Sequence, residues 1–255
     1  MIKTNLEDVT FLIPVRLDSV QRIENLLATI QSLTKYFNTN IIILESTSFN
    51  NGILYKLLIH NIKYIFVEDK DPVFYRTKYL NQMIREVKTP FLAVWDSDVI
   101  VDKIQITNAL EKLRSNEADI AYPYNGQFYD TSDIIRRLYL KRKNINILHK
   151  NSCRMFLIYG SNHKGGGFIA NTEKYKQAGM ENENFYGWGP EDTERYERWI
   201  KLRYNIYHSP GCMFHLSHPR DLNGQFNSQL QMKITRSELS KTMRSTREEL
   251  IGNFN

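Results

Sequence analysis

An α/β domain built on a mostly parallel sheet, with helices on both faces, is the fold class that the sequence predicts. Three observations carry this. Apolar strand-like runs alternate with helix-like runs through the first hundred or so residues, at the spacing of repeated strand–helix units. Arg16, Glu45, Glu68 and Asp96 stand at or just past the ends of four such runs, where sheets of this class bind ligands. A chain of 255 residues with 42% hydrophobic content is long and apolar enough for one sizeable core.

Taken in order, Thr10-Phe11-Leu12-Ile13-Pro14-Val15 reads as a buried strand stopping near Pro14. A helix follows, with Asp18 and Gln21 in the capping-box pattern and Ile23, Leu26, Leu27, Ile30 and Leu33 at helical spacing. Strands are expected at 41–45, 64–68 and 91–95, with a helix over 75–87. The second half is less regular: a helix at 104–113, a short strand at 120–122 and a basic helix at 132–142. Gly165-Gly166-Gly167 leads into Phe168-Ile169-Ala170, and Asn171 or Thr172 caps a short helix ending at Gly179. Residues 228–251 read as one basic, loosely amphipathic terminal helix. No repeat, low-complexity stretch or linker divides the chain. Residues 1–227 therefore read as one domain, with a nucleotide half over about 1–100 and an acceptor half over about 101–227. Residues 228–255 read as a C-terminal basic helix packed on or extending this domain.

The formal charge of +6 and pI near 9.1 suit an anionic partner such as a nucleotide phosphate or an acidic membrane surface. The basic residues form no stripe interleaved with aromatics, which argues against nucleic acid. Cys153 and Cys212 make neither a metal pair nor a disulfide framework, and a reducing, cytoplasmic setting is expected. The polar stretch from Met1 to Asp8 reads as neither a signal peptide nor an anchor.

Three segments carry chemistry. In Gly187-Trp188-Gly189-Pro190-Glu191-Asp192, glycines mount an aromatic face suited to a sugar ring, and two carboxylates open a helix, where N–H groups favour them. In isolation an ordinary turn accounts for this stretch equally well. Asp96-Ser97-Asp98 follows a buried strand, where carboxylates must be solvated, paired or metal-bound. Oxygen ligands in that pattern suit Mg²⁺ or Mn²⁺. His215 and His218 add imidazoles, which favour Mn²⁺, with Mg²⁺ as the alternative. His163 is a weaker candidate for a phosphate or substrate contact, and His60, His149 and His208 read as structural or surface residues.

In this order the segments resemble the metal-dependent inverting glycosyltransferases of the GT-A fold, in particular the β4-galactosyltransferases and their bacterial chondroitin-polymerase-type relatives. The resemblance rests on Ile13-Pro14-Val15-Arg16, residues 74–81 (FYRTKYLN), Asp96-Ser97-Asp98, residues 166–170 (GGFIA), residues 187–192 (GWGPED) and His218-Pro219-Arg220-Asp221. It implies that Pro14, Val15, Arg16 and Arg76 line the nucleoside pocket of a UDP-sugar, with Gly166, Gly167 and Trp188 also on the donor. It implies Asp98, His218 and His215 as metal ligands, with Asp96 at the ribose or at metal-bound water. Trp188 and Gly189 would lie on a loop closing over the donor; Glu191 and Asp192 would hold the acceptor hydroxyl, with Asp192 as the base. Lys164-Gly165 stand where animal enzymes carry aromatics that help choose the sugar. Galactose or N-acetylgalactosamine is the expected donor sugar, and a carbohydrate or lipid-linked glycan the acceptor. The expected setting is bacterial surface polysaccharide or glycolipid synthesis; the C-terminal helix reads in the first place as a solvated packing helix, with peripheral contact with an anionic membrane as the alternative. The rival readings are a sugar nucleotidyltransferase, against which Pro14-Val15-Arg16-Leu17-Asp18 is no glycine-rich phosphate loop, and a non-catalytic sugar- or nucleotide-binding module.

Overall fold

The run from Val9 to Val15 is buried on both faces, as a central parallel strand requires, and it organises the sheet. In the computed structural model, residues 2–58, 62–220 and 222–252 are described; His60 and Asp221 lie outside the described residues. The first half runs β1 (Thr4–Val15), α1 (Val20–Tyr36), β2 (Phe37–Thr47), α2 (Ile53–Leu57), β3 (Lys63–Glu68), α3 (Arg76–Arg85), β4 (Phe91–Trp95), β5 (Val99–Ile100) and α4 (Lys103–Arg114). The second half runs β6 (Ile120–Tyr122), β7 (Phe128–Asp130), α5 (Asp133–Arg142), α6 (Asn146–Asn151), β8 (Phe156–Leu157), β9 (Gly167–Asn171), α7 (Thr172–Gln177), α8 (Glu191–Lys201), β10 (Ile206–His208), β11 (Met213–His215), α9 (Gln229–Arg244) and α10 (Arg247–Gly252).

A seven-stranded sheet has the order β10-β6-β9-β4-β1-β2-β3. Its pairs are parallel except those of β9, which runs antiparallel to both β4 and β6. A mixed α/β domain with a mostly parallel sheet is thus observed. A second, four-stranded sheet, β5-β11-β7-β8, was not legible in the sequence, because its strands are only two or three residues long. It matters for function: β11 ends at His215, and its partner β7 ends at Asp130.

Two expected helix boundaries differ. Helix α1 is capped by Ser19, whose hydroxyl accepts from the Arg22 N–H at 3.3 Å, while Asp18 pairs with the Arg22 side chain at 2.9 Å. The terminal helix breaks after Arg244, because Thr246 and Glu249 exchange backbone-to-side-chain bonds of 2.8 and 3.2 Å and start α10 afresh. Helix α8 turns a charged face inward: Glu194, Arg195 and Arg198 are buried beside Trp199. Thr242 of α9 donates to Glu194 at 2.8 Å, and the Lys201 ammonium donates to the Ser245 carbonyl at 2.9 Å, fixing the C-terminal helices onto α8.

Trp199 anchors α8 to the sheet, packing edge-on against Phe168 at 5.0 Å and near Tyr175 and Tyr122. Trp199→Ala removes a fully buried indole, and we expect a loss of about 3–5 kcal/mol of unfolding free energy in urea titration. A loss under about 1 kcal/mol would show that α8 is held by its ion pairs instead.

Candidate functional site

The carboxyl ends of β1 and β4, the start of α8 and the segment after β11 surround one cavity of about 700 Å³. Pro14, Val15, Arg16, Arg76, Asp96, Asp98, Gly166, Trp188, Gly189, Glu191, Asp192, His215 and His218 all line it. Gly167 does not; it lies in β9, where a side chain would meet the Trp95 ring at 2.9 Å.

Asp98, His215 and His218 converge, with one ligand atom from each lying within 4.8 Å of the others. Nε2 of His218 lies 3.0 Å, and that of His215 3.6 Å, from the Asp98 carboxylate. Nδ1 of each ring is engaged elsewhere: His215 on Asp130 at 2.7 Å, His218 on the Pro219 carbonyl at 2.7 Å. A neutral ring held this way carries its proton on Nδ1 and turns the Nε2 lone pair toward Asp98, as a metal-ligating histidine requires. One carboxylate and two imidazoles with supporting acceptors fit Mn²⁺. Without a cation, burial pushes the His215 pKa down, but Asp98 and Asp130 outweigh it and raise it to about 9. Burial likewise pushes Asp98 up, but the two histidines hold it well below the usual carboxylate range. A cation entering here displaces a proton from His215, so its affinity rises with pH. Asp96 stands outside this cluster: its Oδ1 accepts from Arg76 at 2.7 Å.

The second centre is the pair at the start of α8. Arg195 donates to Asp192 and holds Glu181 through two bonds of 2.8 and 2.9 Å; Arg76 lies 3.9 Å from Asp192. Burial pushes Asp192 up, but Arg195 and Arg76 outweigh it, and the carboxyl stays below its usual value. Glu191 has no such partner, and its buried Oε2 accepts no hydrogen bond. Burial, with repulsion from Asp192, pushes its pKa up to about 8. Asp192 is thus biased toward its ionised form and Glu191 toward its protonated form. Gly165 closes this corner; any side chain on it would collide with Asp192 Oδ2 and His163 Nε2.

Arg16 is built into the wall rather than free for a phosphate. Its guanidinium donates to the carbonyls of Ser46 and Asp71 at 2.9 and 2.6 Å and to Asp69 at 3.3 Å, and it lies over Phe74. Gly187 has φ +74, and a side chain there would meet Val73 at 2.7 Å. The following Trp188 packs edge-on against Phe226 at 4.8 Å. Gln231 of α9 donates to the carbonyls of Tyr186 and Trp188 at 2.8 and 2.7 Å, so the C-terminal helix shapes this loop. Asp130, Gln231, Phe226 and Asn223 were missed in the sequence, which carries no local signal for them. Arg195 had one: it lies three residues after Asp192 on a helix. Of the histidines read as structural, His208 stacks on Tyr122 at 4.8 Å and His149 meets Phe214 edge-on at 5.0 Å.

The raised Glu191 pKa fixes a sign. The folded state holds the Glu191 proton more tightly than the unfolded chain, so stability falls as pH rises from 4.5 toward about 8. Glu191→Gln removes this titration, and we expect its melting temperature to fall less steeply over that window than the wild type's. Parallel melting curves would place Glu191 in the ordinary carboxylate range.

Residues 151–219, which hold the Gly187–Asp192 segment and both histidines, match the family described as the N-terminal domain of galactosyltransferase. No curated protein sequence matches the chain. Among solved structures it is similar to the mannosyltransferase PcManGT from Pyrobaculum calidifontis in complex with GDP-Man and Mn²⁺, at 14% identity and a TM-score of 0.54. That match covers 84% of this chain but only 58% of the mannosyltransferase. It is also similar to glucosyl-3-phosphoglycerate synthase from Mycobacterium tuberculosis, in complex with Mn²⁺, UDP and phosphoglyceric acid, at 11% identity and a TM-score of 0.52. Here 97% of this chain and 78% of the synthase are covered. Identities this low speak for the fold and not for the substrate. The chain thus shares the GT-A fold of these structures and carries, across its candidate site, a segment that matches the galactosyltransferase family.

Proposed function

We propose that the chain transfers a hexose or N-acetylhexosamine, galactose or N-acetylgalactosamine in the first place, from a UDP-sugar to a hydroxyl of a carbohydrate or lipid-linked glycan, with inversion at the anomeric carbon. One observation carries this reading: a cavity lined both by a metal-type cluster (Asp98, His215, His218) and by a carboxylate pair in opposite protonation states (Asp192, Glu191). The GDP-Man complex of one similar structure and the UDP complex of the other agree with a nucleotide-sugar donor.

Asp98, His215 and His218 would hold Mn²⁺, or alternatively Mg²⁺, which would offset the charge that builds on the departing diphosphate. Pro14, Val15 and the wall held by Arg16 and Phe74 receive the nucleoside, with Asp96 at the ribose or a metal-bound water and Gly166 at the donor sugar. Ionised Asp192 takes the proton from the attacking acceptor hydroxyl, and neutral Glu191 donates a hydrogen bond to the acceptor. Trp188 and Gly189 cover the sugars and exclude water, which competes as acceptor. Lys164 lies over the Tyr196 ring at 3.8 Å, so this part of the wall is an aliphatic stem and a cation rather than an open aromatic.

The two centres separate under mutation. Asp98→Asn should weaken Mn²⁺-dependent UDP binding in calorimetry. Asp192→Asn should leave that binding intact and lower transfer by about 100-fold or more, read as release of UDP rather than pyrophosphate. Normal transfer by Asp192→Asn removes the assigned base, and pyrophosphate as the product makes the chain a nucleotidyltransferase.

The proposed setting is bacterial glycan synthesis at the cytoplasmic face of the membrane. No helix among the described residues is long and apolar enough to cross a membrane. The outer face of α9 exposes Leu230 and Ile234 beside Lys233, Lys241 and Arg244, which suits peripheral contact with anionic lipid. Replacing Lys233 and Lys241 by Glu should cut binding to phosphatidylserine vesicles by about fivefold or more per charge while sparing UDP binding; unchanged vesicle binding removes the membrane from the proposal.

A further inference from the structure

Tyr159 combines three features that core packing does not require. It is 61% exposed and lines the cavity rim. Its backbone is left-handed, at φ 54, which a residue with a side chain rarely adopts. Its ring stacks on His163 at 5.4 Å and 22°, and His163 stacks in turn on Phe128 at 4.9 Å and 19°.

This aromatic ladder is firmly mounted. The Ile158 N–H donates to the Phe128 carbonyl at 2.8 Å, and the His163 N–H donates to the Gly126 carbonyl at 3.0 Å. The Tyr124 hydroxyl donates to the His163 carbonyl at 2.9 Å. Its middle ring is next to the reactive corner, since His163 Nε2 and Asp192 Oδ2 both crowd the same missing side chain of Gly165. Tyr159 sits one ring spacing further out and is 61% exposed. A saccharide whose reacting ring lies at Asp192 would extend its next ring along this ladder, where the flat apolar face of a pyranose matches the exposed phenol ring.

We propose that Tyr159 is the platform for the second sugar ring of the acceptor, which makes the preferred acceptor an oligosaccharide rather than a single sugar. This rests on the reading of Asp192 as the group that meets the acceptor hydroxyl. The length preference and the donor chemistry are separable, because the ring that Tyr159 stacks on, His163, is none of the assigned metal or donor residues.

The test uses the full chain with UDP and Mn²⁺, probed on an array of mono-, di- and tetrasaccharides. The wild type should retain the longer saccharides over their terminal monosaccharides. Tyr159→Ala should lose roughly three- to tenfold of that advantage, and Tyr159→Phe should keep it. Both variants should match the wild type in melting temperature and in UDP affinity by calorimetry. Retention of the length preference by Tyr159→Ala, or its absence in the wild type, overturns the platform. If the wild type turns over no UDP-sugar, the platform falls together with the proposed function. If it turns over UDP-sugar and Tyr159→Ala keeps the length preference, the platform alone falls.

Discussion

The constraint on which the rest of this structure depends is the number of acidic groups gathered at one buried place. Asp96, Asp98, Glu181, Glu191 and Asp192 surround or support a single cavity, and most are nearly or fully withdrawn from water. Carboxylates cannot be assembled this way without cations, because desolvation and mutual repulsion together exceed what packing returns. Arg76 and Arg195 meet that requirement. Arg76 spans Asp96 and Asp192, and Arg195 spans Asp192 and Glu181. Both guanidiniums are held strongly in their charged form by those carboxylates, which outweigh their own burial. Removing Arg195 leaves the buried Glu181 carboxylate without its cation, a defect of about 3–5 kcal/mol. The ends of β4, α3 and α8 are therefore fixed relative to one another by electrostatics as much as by the apolar core.

The same constraint accounts for the different behaviour of two adjacent carboxyls. Asp192 faces both arginines, whereas Glu191 faces none closely enough to bond. Sequence position cannot produce this difference, since the two residues are neighbours at the first turn of one helix. It arises because successive helical positions are rotated by about a quarter turn or more, so one side chain meets the cationic side of the pocket and the other a dry wall. An ionised base beside a neutral donor is what proton removal from a bound hydroxyl requires.

The sheet and its alternation were legible because its inner strands are uninterrupted apolar runs such as Ile41–Leu44 and Phe91–Trp95, too short for a buried helix and apolar on both faces as a central parallel strand must be. Asp98, His215 and His218 were legible as ligand types, but their convergence was not. It depends on β5 and β11 pairing antiparallel across more than a hundred residues, in strands too short to show periodicity. Asp130 was invisible for the same reason, as it reaches His215 only through the β7–β11 register. Arg16 illustrates a different limit. A cation at a strand end suits an anionic ligand, but here the carbonyls of Ser46 and Asp71 and the Asp69 carboxylate already engage three of its donors. Local sequence shows which charges exist, and only the fold shows which are already satisfied.

The segment after β11 joins these parts. His218 belongs to the metal-type cluster, Asn223 accepts the Phe74 N–H at 2.7 Å, and Phe226 packs on Trp188 at 4.8 Å. One short stretch of chain thus touches the cation site, the donor wall and the aromatic loop in succession. Drawing His218 toward a cation restrains the same stretch that holds Asn223 and Phe226. Those two contacts in turn favour the arrangement in which Trp188 covers the cavity, with its carbonyl fixed from behind by Gln231. In the proposed reaction, cation binding and covering of the sugar site would be linked through these contacts, so that a site holding both metal and donor would also be the one shielded from water, as a transferase needs to avoid hydrolysing its own donor.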